Sequence, residues 1–224
     1  MKLFGIRIVI HRSFWLLPLF LSLWTAKDYG FDPALRMFVL VMLVFVCVLG
    51  HELTHSLVAL RLGIPVPRIT LYPMGGVASM QEIPREPGRE FLISIVGPFS
   101  NFLCAGLMYF PLIHAFGRQT LLLPSLDSWP GVLSNLFWAN LVLGAFNLVP
   151  AFPMDGGRIF RSALSKFIKR RAATGIAVFL GRLFAILFFL IGLWKHTWML
   201  AMVGVYVFFS ASDEMKRIKR EQAA

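Results

Sequence analysis

The segment His51-Glu52-Leu53-Thr54-His55 sets two imidazoles four residues apart with a carboxylate between them. On a helix, residues i and i+4 share a face with Cβ atoms about 5 to 6 Å apart. Both ring nitrogens can then reach a single zinc ion at about 2.0 to 2.1 Å. Glu52 lies three residues before His55 on the same side, placed to take a proton from metal-activated water rather than to bind the metal. The chain's 5 histidines make this pattern rare by chance, at about 0.003 expected matches. A purely structural role is a poor alternative, because a charged residue in a hydrocarbon-embedded helix costs about 2.5 to 3.5 kcal/mol.

A zinc site of this kind takes three protein ligands and leaves one position open. The chain has few carboxylates to supply the third. Asp28, Asp32 and Asp127 belong to the opposite side of the membrane from the motif. Glu82, Glu86 and Glu90 fall in a polar loop over 81–90, and Asp213, Glu214 and Glu221 fall in the tail. Asp155 stands apart: it follows a long uncharged run, at the depth expected for His55. Pro150 and Pro153 bar regular helix before it, and Gly156-Gly157 permits close backbone approach after it. The competing reading of Asp155 is an N-cap for a helix that begins near Arg158.

The elements that must carry these residues are membrane helices. Of 224 residues, 58% are hydrophobic and 15% charged, beyond the roughly 45 to 50% apolar content of soluble domains. Phe91 to Gly117 and Ser128 to Met154 hold no charged residue, and each exceeds the about 20 residues a spanning helix needs. Met37 to Leu60 is interrupted only by Glu52, and Ala172 to Trp194 only by Arg182. Ser13 to Ala26 and Thr197 to Ser212 are shorter apolar runs, which brings the expected spans to six. Asp32-Pro33 is expected to start the helix bearing the His-Glu motif, and Gly63 with Pro65 to stop it.

Phe4, Ile6, Ile8 and Ile10 fall on one face, with Gly5, Arg7 and His11 on the other, a strand pattern ahead of the first span. Pro65 to Met80 reads as a β-hairpin or looped strand with Gly75-Gly76 as its turn. The expected class is therefore an all-α polytopic membrane protein with short membrane-associated strands, organised as one domain over residues 1–224. Cys47 and Cys104 lie in apolar segments and imply no disulfide framework.

The net charge of +11 does not indicate nucleic acid, because basic residues cluster at the ends of apolar runs as the positive-inside rule requires. With six spans and a cytoplasmic N-terminus, 17 Lys and Arg lie in the cytoplasm and 4 on the other side. Both termini and the His-Glu motif are thus expected on the cytoplasmic side. Arg182 is the one basic residue inside a span.

His51-Glu-Leu-Thr-His55, together with Asn147-Leu-Val-Pro-Ala-Phe-Pro-Met-Asp155-Gly-Gly, resembles the site-2 protease family of intramembrane metalloproteases, peptidase family M50. Gly97-Pro-Phe-Ser-Asn101 is similar to that family's G-x-x-x-N element, and the likeness covers nearly the whole chain. The resemblance implies a six-helix core whose second to fourth helices surround one zinc ion per chain, with Asn147 holding the substrate strand. It also implies proteolysis within or near the transmembrane helix of a membrane-protein substrate. No PDZ insertion or CBS domain of the kind some relatives carry is expected within residues 1–224. Asn101 and Asn140 are candidate contacts to the substrate or to the metal ligands, while asparagines in spans most often join helices. His11, His114 and His196 read as interfacial. Two rival classes remain: a zinc transporter, opposed by Glu52 because transport needs no general base, and an inactive scaffold, opposed by the intact site residues.

Overall fold

The structure is a computed structural model that describes residues 2–80 and 86–223. Half of the polar loop expected over 81–90, residues 81–85, lies outside the described residues. Contacts divide the chain into two compact units, residues 1–82 with 96–144 and residues 83–95 with 145–224.

In the first unit the N-terminal alternation becomes a hairpin of β1, Lys2–Leu3, and β2, Ile6–Ile10. Phe4 and Gly5 turn it with positive φ at both positions, the geometry that matches strand twist in a two-residue turn. His11 caps a 3-10 turn, Arg12–Trp15, by accepting from Ser13 N at 3.2 Å. Helix α1, Leu16–Tyr29, follows and stops at Gly30.

Helix α2, Phe31–Arg61, carries the His-Glu motif. Its N-cap is Gly30 with φ 87°, so Asp32 sits in the first turn and not at the cap position expected of it. There its charge still complements the helix dipole. The helix ends where Gly63 takes φ 80°, a conformation that favours glycine.

Strands β3, Arg68–Tyr72, and β4, Gly75–Ser79, form the second hairpin. Tyr72 pairs with Gly75, so Pro73-Met74 makes the turn, and the glycine pair expected there belongs to β4. β2 runs parallel to β3, from Arg7 opposite Arg68 to Ile10 opposite Leu71, completing the order β1-β2-β3-β4. A parallel pair needs a long crossover, which α1 and α2 supply. Ile6, Ile69 and Leu71 share the buried face, and Leu71 packs with Phe14, Val41 and Phe45.

Helix α3, Pro87–Leu122, is kinked at Gly117, where φ is 80°. Helix α4, Trp129–Asn147, packs Phe137 on Ala105, Leu112 and Leu121 of α3. Trp138 Nε1 donates to Leu121 O at 2.8 Å and Asn135 Nδ2 to Ser125 O at 3.0 Å, which satisfies donors that lipid could not.

The second unit begins at the α3 N-terminus. Glu90, expected in a polar loop, is instead in the first turn of α3 and 2% exposed. After α4, residues 148–154 are irregular, as the two prolines require, and lead into α5, Asp155–Leu164. Helices α6, Arg170–Trp194, and α7, Trp198–Ala223, lie against each other. A Cβ on Gly192 would meet Ala201 N at 2.5 Å, and one on Gly204 would meet Ala185 O at 2.6 Å, the close approach that small residues allow between membrane helices. Arg182 finds its partner on the neighbouring helix: Nε and Nη2 donate to Ser212 Oγ at 3.2 and 3.1 Å, and its charge lies 5.6 Å from the Phe208 ring.

Among the described residues, α2, α3 and α6 are long and apolar enough to cross a membrane. α1 has 14 residues, α4 is interrupted by Asn135 and Asn140, and α7 becomes charged towards its end. Phe99, Leu103, Leu107 and Phe110 form an exposed stripe along α3, as do Phe179, Leu183, Ile186 and Leu190 along α6. Continuous apolar stripes of this kind are unstable in water and fit a hydrocarbon solvent. The chain is an integral membrane protein, mostly helical with one small sheet.

Candidate metal centre

The histidine pair is buried on α2, His51 at 7% and His55 at 5% exposure. One helical turn brings the two Nε2 atoms to 3.1 Å, with the rings edge to face. Two nitrogens bound tetrahedrally to one zinc at about 2.0 to 2.1 Å stand roughly 3.3 Å apart. The pair therefore matches the edge of a tetrahedral zinc site with almost no rearrangement.

Asn101 on α3 decides which face of His51 is available. Asn101 Nδ2 donates to Asn140 Oδ1 at 3.0 Å, which turns its Oδ1 towards His51 Nδ1 at 2.7 Å. An amide oxygen accepts, so the His51 proton is on Nδ1 and the Nε2 lone pair points towards His55. Asn140, on α4, is held in turn by donating to Leu136 O at 2.9 Å and to Cys47 Sγ at 3.3 Å. Cys47 is one turn before His51 on α2, so the chain of contacts joins three helices and returns to the first. Both asparagines are buried, at 2% and 0% exposure, and their amides are committed to this network.

Two glycines provide clearance. A Cβ on Gly97 would fall onto His55 Nε2 and Cε1 and stand 2.7 Å from His51 Cε1. Gly97 and Asn101 are one turn apart on α3, so one face of this helix presents an absent side chain to the imidazoles and an amide to His51. The spacing of the G-x-x-x-N element follows from that geometry. A Cβ on Gly76 would stand 2.5 Å from Glu52 Cγ and 3.4 Å from its Cδ, which sets β4 beside the carboxylate. In the sequence these glycines mark only an element and a turn; neither spacing nor composition indicates what they clear.

Asp155 is the first residue of α5 and half-buried. The N-cap of that helix is Met154, so Asp155 is not the cap that the competing reading made it. The backbone before it is tightly folded. A Cβ on Gly156 would overlap Leu148 and Val149 O, and one on Gly157 would stand 2.7 Å from Ala151 C and Phe152 N. Asn147, the proposed substrate contact, is the last residue of α4.

A buried pair of helix-borne imidazoles, one tautomer preset by an amide, with a carboxylate next in sequence, makes a candidate metal centre in an apolar helix. The chain belongs to peptidase family M50, whose model matches residues 37–123 and 123–190. It is 37% identical over 221 residues to a zinc metalloprotease of Methanocaldococcus jannaschii, covering 98% of this chain and 61% of that protein. It is 29% identical over 241 residues to Rip3 of Mycobacterium tuberculosis, whose name also describes a zinc metalloprotease, covering 99% of this chain and 59% of that one. The chain thus spans about 60% of the length of these curated relatives. In three dimensions it is similar to the site-2 protease from Methanocaldococcus jannaschii, with TM-score 0.70 and 35% identity over 96% of this chain and 93% of the other. The site-2 protease fold and the M50 family are those to which the paired sequence motifs pointed.

Proposed function

We propose that the chain is an intramembrane zinc metalloprotease in which His51, His55 and Asp155 hold one zinc ion and Glu52 is the general base. The observation that carries this reading is the 3.1 Å approach of the two histidine Nε2 atoms beside Glu52. Two imidazoles and one carboxylate are a donor set that zinc accepts. When bound, zinc supplies Lewis-acid chemistry, acidifying water and drawing electron density from a peptide carbonyl.

The rest falls to residues of the chain. Glu52 takes a proton from the attacking water at its carboxylate as the water oxygen bonds to the carbonyl carbon. It returns that proton to the peptide nitrogen as the C–N bond breaks, leaving an amine and a carboxylic acid that keeps the second proton of the water. Asn101 keeps the His51 lone pair directed outward, and Asn140 keeps Asn101 in place, so both act on the ligands rather than on substrate. Asn147 is the proposed substrate contact.

The substrate is the transmembrane helix of a membrane protein. Its scissile carbonyl is tied up in helical hydrogen bonds, so the segment unwinds before it reacts. An extended segment can then add to the outer edge of β4, which runs past Glu52 at Gly76. We further propose six spans in a single domain over residues 1–224, α1, α4 and α7 adding to the three apolar helices. The asymmetry of 17 basic residues against 4 supports a topology with both termini and the site on the cytoplasmic side.

Purified protein in lipid nanodiscs, given a single-span substrate, tests the scheme. Glu52→Gln is expected to retain zinc and to lose about 10² to 10⁴ in turnover, the usual contribution of a positioned acid-base group. Wild-type turnover by that variant would remove Glu52 from the mechanism.

A further inference from the structure

Among the described residues the largest fully buried side chain is Arg161, at 0% exposure, and the proposed reaction does not use it. It lies on α5, six residues after Asp155. Arg161 Nε donates to Glu90 Oε1 at 3.0 Å, Nη2 pairs with the same oxygen, and Nη1 donates to Glu214 Oε1 at 2.6 Å. Arg170 Nη1 stands 3.1 Å from the second oxygen of Glu90. The guanidinium plane also lies 4.8 Å from the centre of the Phe152 ring. Two arginines and two glutamates therefore balance their charges inside the second unit, joining the first turns of α3 and α6 to α5 and α7.

The consequence concerns the segment between Phe152 and Arg161. Phe152 is 2% exposed. Its N donates to Ala177 O at 3.3 Å, and its ring packs with Ala177, Val178 and Ala211. A Cβ on Gly181 would collide with Phe152 O, so α6 holds the Phe152 backbone at contact distance. Arg161 binds the far end of the same segment and stacks back on the Phe152 ring. Asp155 lies between two points that one guanidinium connects.

We infer that Arg161 is a positioning residue for the Asp155 carboxylate, acting through Glu90, Glu214 and Phe152. This rests on the assignment of Asp155 as a zinc ligand. The choice of arginine has a physical reason. Only a planar fork can meet two carboxylates at once and still present a flat face to an aromatic ring, whereas lysine offers one point charge. An uncharged network of the same volume would hold the helices together as well, so stability alone does not call for these ions. Orientation does, because each fixed N–H direction restricts rotation of α5 about its axis.

The test measures zinc affinity by chelator competition on folded, purified protein, alongside the unfolding temperature of the metal-free form. Arg161→Lys, which keeps the charge and loses the fork, is expected to bind zinc about 10-fold or more weakly, the range seen when groups behind a metal ligand are removed. Saturating zinc is expected to restore its turnover. Asp155→Asn is measured in parallel. Normal affinity in Arg161→Lys with weakened affinity in Asp155→Asn would overturn the positioning role alone, leaving Arg161 a structural ion. Normal affinity in Asp155→Asn would overturn the ligand assignment and the inference with it. If Arg161→Lys does not accumulate, Glu214→Gln removes the Nη1 partner at the more exposed edge of the network. It carries the same comparison, with a smaller loss expected and unchanged affinity counting against the inference.

Discussion

Replacing Gly97 by alanine exchanges one hydrogen of α3 for a methyl group, and it should disable the metal centre. The new Cβ would stand 2.7 Å from His51 Cε1 and nearer still to His55 Nε2. Ordinary contact begins at 3.4 Å, so His51 alone must retreat by about 0.7 Å and His55 by more. Metal–ligand distances tolerate about 0.2 Å, and Asn101 and the α2 backbone leave His51 little freedom to comply. A misplacement of about 1 Å at a reacting centre lowers the rate roughly 100-fold, equivalent to about 2.7 kcal/mol of transition-state stabilisation. We therefore expect Gly97→Ala to lower kcat/KM for a single-span substrate about 100-fold and to purify with substoichiometric zinc by elemental analysis. Gly106→Ala is the control. It makes the same change on the same helix, where the new Cβ meets nothing within 4 Å, and should leave zinc content and turnover unchanged. Since alanine is the better helix former in water, loss of helix cannot account for a defect at position 97. Full zinc occupancy and near-normal turnover in Gly97→Ala would refute the clearance argument and the imidazole geometry on which it stands.

Asn101→Ala removes the acceptor from His51 Nδ1 and should weaken zinc binding about 10- to 100-fold in chelator competition. Asn140→Ala, acting one contact further away, should do less. Gly76→Ala presses on Glu52 Cγ and not on the histidines, so it should lower kcat while zinc stoichiometry stays at wild type; a variant short of zinc would contradict that separation. Chelation should lower the unfolding temperature, since a ligand at 100 times its Kd contributes about 2.7 kcal/mol. Returned zinc should restore temperature and turnover together.

Much of the architecture was legible from local signals. Apolar runs located α3, α4 and α6, the i, i+4 histidines required a helix, and prolines 150 and 153 required irregular backbone before Asp155. Local signals were also where boundaries went astray. Gly30 rather than Asp32 begins α2, because the positive φ that a glycine accepts reorients the chain between two abutting helices. Pro73-Met74 rather than Gly75-Gly76 turns the second hairpin, because Gly76 is needed where β4 passes Glu52 and Gly75 takes a positive φ at the start of that strand. Glu90 read as loop because Pro84, Pro87 and the charges around them look like one. Its true environment depends on Arg161, 71 residues later.

By itself the sequence determined the chemistry on offer and the solvent: a His-Glu-x-x-His face on a helix, few carboxylates to complete it, and apolar runs suited to a bilayer. These follow from spacing and composition, which short-range geometry converts directly into structure. Only the tertiary structure decided which polar atoms meet. Asn101 on His51, Gly97 against both imidazoles, β2 alongside β3, and Arg161 between two glutamates all join residues distant in sequence. The reason is that no water in the hydrocarbon region relieves an unpaired donor or charge. Each buried polar group must find its partner inside the protein, and the partner is fixed by how the helices pack, which local periodicity does not encode.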